Sequence, residues 1–235
     1  LRHPSPDLPR FYTKPPGRDW VPLEQGGDRV VYVWDIDLIR GQRGPLAVPG
    51  SYTVRATIGS EEFTKPLVVL KDPYSTGTLD MIAEQVAFSL GMRDQISDIT
   101  SVIERMEHTR VQLGAAQAAL AGDPEAVEVR TEIERLTAVA TELEGALVDV
   151  SLTGAREDSF RNPMRLYGRF SALASDVDWK GSDFVPTTQQ REVHQVLTDR
   201  LEGAKQAIQT FLDGELAQLN DRLRALGRPA IVLDD

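Results

Sequence analysis

The side chains that could do chemistry are few and scattered. Only His3, His108 and His194 are available as histidine bases or ligands, and there is no cysteine. That composition excludes disulfides, thiolate metal ligands and a cysteine nucleophile. His3 falls in a proline-rich stretch. His108 and His194 sit beside charged residues on helix flanks, which predicts that they face solvent. Neither has a histidine four residues away to complete a helical zinc pair. Asp35 and Asp37, at i and i+2 of an extended stretch, point the same way, but two carboxylates fall far short of the roughly six to eight oxygens calcium takes. Gly59-Ser60 reads as a hairpin turn rather than a nucleophile elbow, and no glycine-rich phosphate cradle precedes a helix. The pairs Glu61/Glu62 and Glu132/Glu134 fall on exposed surfaces with nothing apolar beside them to raise a pKa. The sequence therefore assigns no catalytic, cofactor-binding or metal-binding residue, and predicts no enzyme.

What remains is recognition. Phe11, Tyr12 and Trp20 are aromatic residues in an N-terminal arm, and aromatic anchors are enriched in interface hot spots. They are the candidate partner-binding residues. The competing reading is that they cover the chain's own β region.

The elements that would position them follow from pattern. Residues 1–27 hold Pro4, Pro6, Pro9, Pro15, Pro16 and Pro22 and show little periodicity. That predicts an extended arm with at most an edge strand near Asp19 to Leu23. Such an arm either lies across a surface of this chain or a neighbour, or has no fixed place. Residues 28–72 read as a small β-sandwich. Asp28 to Asp37 has the strongest β propensity and apolar side chains on both faces, as a central strand does. Pro49-Gly50 is a turn into a strand in which Tyr52, Val54 and Ala56 alternate with Thr53, Arg55 and Thr57. The turn Ile58-Gly59-Ser60-Glu61 leads to a second strand, Thr64 to Leu70.

From residue 73 the period changes to helical. Thr78 caps an apolar series (Leu79, Ile82, Val86, Leu90, Ile96, Ile99, Ile103, Met106, Leu113) that predicts one long helix to about Ala121. Gly122-Asp123-Pro124 is a stop and restart. The next helix carries the seam Val129, Ile133, Leu136, Ala140, Leu143, Leu147 and Val150 at heptad-like spacing. After a connector from Thr153, a shorter helix spans Pro163 to Val177, and Trp179 and Phe184 are expected to pin the following loop to the bundle. A last helix runs from Pro186-Thr187-Thr188 to Gly227, and Pro229 prevents its continuation. The predicted fold class is α+β: a small sandwich followed by an elongated antiparallel bundle of three to four helices.

Charge divides at the same place. Up to Asp72 there are 10 Lys+Arg against 9 Asp+Glu; the remainder has 16 against 27. An acidic helical region excludes a nucleic-acid backbone or an anionic lipid surface as its partner. It fits either a solvated face or a basic protein partner. No apolar run approaches the roughly 20 residues that span a bilayer. The chain begins without Met and without a basic–apolar leader pattern, as expected of a processed or excised product.

Val33-Trp34-Asp35-Ile36, the run Gly44 to Arg55, and Lys71-Asp72-Pro73 together resemble the C-terminal region of sortilin-type or BNR-repeat glycosyl hydrolase-like secreted bacterial proteins. Pro186-Thr187, Leu219-Asn220 and Gly227-Arg228-Pro229 fit the same pattern. In that family a β-propeller precedes an immunoglobulin-like module and a helical segment. The resemblance implies an immunoglobulin-like sandwich at 28–72, a helical bundle at 73–235 and a periplasmic or secreted setting peripheral to a membrane. It carries over no catalytic residue, because the propeller and its Asp-box repeats do not occur here. The leading expectation is a non-catalytic extracytoplasmic interaction or scaffold module. It would be an extrinsic subunit stabilising a larger envelope or membrane complex, with other protein chains as partners. The alternative is an accessory glycan- or substrate-binding domain of a hydrolase whose propeller is missing. A third reading is a coiled-coil-like oligomer formed through the helix seams.

Overall fold

The computed structural model describes residues 1–23, 27, 29–30, 43–154, 164–179 and 183–233. The fold is mixed α+β and mostly helical. Helix α1, Leu79–Ala119, is the axis. At 1.5 Å per residue its 41 residues extend about 60 Å. Thr78 caps it, its hydroxyl accepting from the Met81 amide at 3.2 Å. Ile82, Val86, Met92, Ile96, Ile99, Ile103, Met106 and Leu113 form its buried stripe. The chain turns at Gly122, whose φ of 82° is the left-handed value that follows a helix end. Asp123 caps a single 3-10 turn, Pro124–Ala126.

Helix α2, Val127–Leu147, returns antiparallel along the distal part of α1. Helix α3, Leu166–Trp179, continues that return leg toward the start of α1, where Gln85 donates to the Val177 carbonyl at 2.8 Å. Helix α4, Thr188–Phe211, then runs parallel to α1 and is bonded to it by Arg191–Glu84, His194–Gln95 and Lys205–Asp98. A capping box of Thr187 and Gln190 starts it. It passes through a π turn, Leu212–Leu216, into α5, Ala217–Ala225. The predicted bundle thus exists as three legs: α1, the α2–α3 return, and α4–α5. The π turn was not legible in the apolar spacing. It keeps Phe211, Leu212, Leu216, Leu219 and Leu223 all buried across the phase change.

The β region differs more. Strands β1, Arg10–Phe11, and β2, Arg29–Val30, make one short antiparallel pair. Strands β3, Gly50–Ile58, and β4, Glu61–Val69, make a second. No second sheet packs on either face of the β3–β4 hairpin among the described residues, and nearly every residue in it is exposed. The described residues therefore form a projecting two-stranded ribbon and not an immunoglobulin-like sandwich. The central strand expected at Asp28 to Asp37, with the Asp35/Asp37 pair, lies outside the described residues apart from Arg29 and Val30. So does most of the connector after Thr153. Gly50 opens β3 without a positive φ, so the turn before it rests on Pro49; Gly59, at φ 64°, supplies the left-handed residue of the hairpin turn. Phe184 is half exposed and does not pin its loop. The side chain of Trp179 is outside the described residues. Val193 and Val196, placed on the apolar series of the last helix, are also exposed.

Candidate functional site

The arm is the first surprise of the geometry. It runs along α1, in the same direction as that helix. The Asp7 amide donates to Ser97 Oγ at 3.0 Å, the Asp7 carbonyl accepts from Thr100 Oγ1 at 3.0 Å, and the Arg10 amide donates to Glu104 at 3.3 Å. The contact ends on Glu107. Its Oε2 accepts from the Tyr12 and Thr13 amides at 2.7 and 2.6 Å, and its Oε1 accepts from the Thr13 hydroxyl at 2.8 Å. Prolines on either side hold the arm extended, so its amides must find partners outside itself, and one carboxylate collects two of them.

Glu107 is fully buried and shares a guanidinium with a second buried carboxylate. Arg110 Nη1 lies 2.8 Å from Glu107 Oε1 and 2.9 Å from Glu144 Oε2. Two buried carboxylates share one buried arginine, so like charges are held together away from solvent. Burial, followed by the charge of Glu107, pushes the Glu144 carboxyl up to about 8. Glu144 Oε1 and Arg110 Nε have no hydrogen-bond partner. Beside this cluster Arg29 donates to the carbonyls of Thr13 and Leu152 at 2.9 and 2.6 Å and stacks over Phe11 at 4.9 Å. The cluster binds arm to bundle.

The three aromatic candidates are therefore separated. Phe11 is 1% exposed and belongs to the main core, so it covers α1 in cis and is not presented to a partner. Tyr12 is half-buried with its ring 4.4 Å from that of His108. Trp20 is 72% exposed and alone of the three is presented. The histidines are corrected too. His108 is half-buried under Tyr12 rather than solvent-facing. His194 is half-buried against Phe88 and bonded to Gln95 at 2.6 Å, and burial lowers its pKa.

Two cavities among the described residues are of appreciable size. One, about 310 Å³, lies between the hairpin base, the start of α1 and Asp178 and Asp183. The other, about 290 Å³, lies between Ala115, Ala116 and Ala119 of α1 and the segment Arg228 to Ile231. The groups with displaced pKa values that could move protons near neutrality, Glu144 and His194, line neither. Among the described residues no three His, Asp or Glu side chains are gathered to hold a metal ion.

The hairpin is the remaining feature. Its register, Ile58↔Glu61 through Gly50↔Val69, puts Tyr52, Val54, Ala56, Ile58, Phe63 and Leu67 on one face, together with Lys65 opposite Val54 and Glu61 at the turn. Ile58 is 70%, Phe63 51% and Val54 49% exposed. Among the described elements, neither strand packs substantially on any but the other. No family model, curated protein or solved structure matches this chain.

Proposed function

We propose that the chain is a non-catalytic interaction and scaffold module, an extrinsic subunit that docks onto another protein of an extracytoplasmic or membrane complex. The observation that carries this reading is the hairpin's mainly apolar face, in which Tyr52, Val54, Ala56, Ile58, Phe63 and Leu67 flank Lys65 and which none of the described residues covers. An isolated two-stranded ribbon is marginal at best, and contiguous apolar patches of this kind mark interaction sites. The helical bundle acts as its rigid mount. Trp20 is a second anchor on the arm. Among the described residues no helix is long and apolar enough to cross a membrane, so attachment to a membrane complex would be through protein contacts.

The arm's deletion is a poor test, because it strips Phe11 and Val21 from the interior. Trp20→Ser and the pair Val54→Ser with Phe63→Ser are better, since all three side chains are exposed and their loss leaves the core intact. In extracts of the source organism the wild-type chain should migrate in an assembly, and the hairpin pair should release it. Co-migration unaffected by any of these changes would sink the reading.

A further inference from the structure

The open face says that something covers the hairpin; its two edges say how. Ile58 and Glu61 flank a two-residue turn with positive φ at Gly59 only, the type II′ geometry. The pair closing such a turn is hydrogen-bonded, and alternation makes 56↔63, 54↔65 and 52↔67 hydrogen-bonded as well. Pro66, which cannot donate, sits opposite Thr53 in a non-hydrogen-bonded pair, consistent with that phase. The N–H and C=O groups of Ser51, Thr53, Arg55 and Thr57 therefore point away from β4. Those of Glu62, Thr64, Pro66 and Val68 point away from β3. Each edge carries one charged residue, Arg55 on β3 and Glu62 on β4, but the β4 edge also lacks a donor in its middle at Pro66, a device that blunts an edge. The β3 edge has all its donors and acceptors, and none of them is bonded to another segment among the described residues.

Resting on the interaction-module reading, we infer that β3 is a strand-addition edge that accepts an extended segment of a different polypeptide. The incoming strand would place alternate apolar residues beside Tyr52, Val54, Ala56 and Ile58, and on the opposite face a second carboxylate beside Arg55, whose Nε already lies 3.4 Å from Glu62 Oε1 across the hairpin. Backbone bonds give such a complex its affinity and alternate side chains its selectivity. Charge argues against a second copy in that place. Antiparallel pairing of β3 with itself over its whole length makes the two Arg55 side chains diagonal neighbours on one face, roughly 7–8 Å apart. It also brings together two helical regions that each carry 27 acidic against 16 basic residues.

The test uses the full chain and a labelled, blocked nine-residue peptide, matched to the length of β3. The peptide alternates threonine and valine with glutamate replacing the central threonine; a lysine version is the control. The glutamate peptide should bind at least about threefold more tightly than the lysine peptide. On binding, amide exchange should slow at Ser51, Thr53, Arg55 and Thr57 and stay unchanged at Glu62, Thr64 and Val68. Thr57→Pro, which removes an outward donor and no hairpin bond, should weaken binding about tenfold. Slow exchange at Tyr52 and Val54 would show that this variant keeps the hairpin, and the wild-type exchange pattern decides the matter without it. Protection on the β4 edge overturns the assignment, as does failure of the wild type to bind either peptide. Protection of β3 in the peptide-free protein together with a dimer mass in sedimentation puts a second copy there and overturns it too. Binding that Phe63→Ser abolishes without β3 protection contradicts strand addition but leaves face docking standing. Failure of the underlying reading looks different: native assembly indifferent to the hairpin.

Discussion

Glu107 gathers two backbone amides, a hydroxyl and a guanidinium onto one buried carboxylate. Truncating it to alanine leaves Arg110 paired with Glu144 but unpairs the Tyr12 and Thr13 amides and the Thr13 hydroxyl; hydrogen bonds to a charged group are worth about 1.5–3 kcal/mol each, so the loss should be about 3–5 kcal/mol. Urea denaturation of Glu107→Ala should show a loss in that range. Glu144 behaves oppositely. Its carboxyl holds a proton in the folded chain up to about pH 8, whereas the unfolded chain releases it near 4.5. Between those values the folded state binds more protons, so stability falls as pH rises and the contribution is gone above about 8. His194, with its pKa lowered by burial, works in the other sense, losing stability as pH falls below its ordinary 6.5. The two are separated by measuring stability from pH 6.5 to 8.5. Wild type should weaken across that range, and Glu144→Gln, which mimics the protonated form, should be nearly flat and no less stable at the upper end. An unchanged slope in Glu144→Gln would assign the titration elsewhere. This cluster was within reach of the sequence. Ile103, Met106, Arg110 and Leu113 fall at helical spacing, and Glu144 lies four residues from Ala140 on the α2 seam. A charge on an apolar stripe is the signal, but pattern alone does not say which charges find each other.

At the scale of elements, the helices follow local rules and the sheet does not. Caps and breakers at Thr78, Gly122-Asp123-Pro124, Thr187 and Gly227 act within one turn of chain, so each could be read from composition and each is in place. The strand faces were equally legible, because pairing preserves the alternation from Tyr52 onward. What the alternation could not reveal is whether the apolar face has a lid, since a half-buried strand and an uncovered one share a pattern. Among the described residues the hairpin has almost no neighbours. Replacing 51–68 by two glycines should therefore shift the melting temperature of the helical body by less than about 2 °C; a large drop would mean the ribbon braces the bundle. Within the helices, Gly91, Gly114 and Gly203 are exposed, have negative φ, and have open space where a Cβ would go. Each change to alanine should stabilise by about 0.5–1 kcal/mol, read as a rise in urea midpoint.

Taken whole, the molecule sets an acidic three-legged helical mount beside a projecting hairpin with one mainly apolar face. The arm that the aromatic composition suggested as a partner-binding strap is instead tied down along α1, and of its three aromatic residues only Trp20 is turned outward. A strap and a cis cover have the same composition; what separates them is the carboxylate some 95 positions later that takes the arm's amides. The central claim is that the hairpin holds the chain in a larger assembly. The most direct measurement is native size in gently solubilised material from the source, comparing wild type with the Val54→Ser/Phe63→Ser pair at matched thermal stability. The account predicts a large assembly for wild type and migration near 26.0 kDa for the pair. Wild type migrating alone near that mass, or the pair remaining in the assembly, would contradict it.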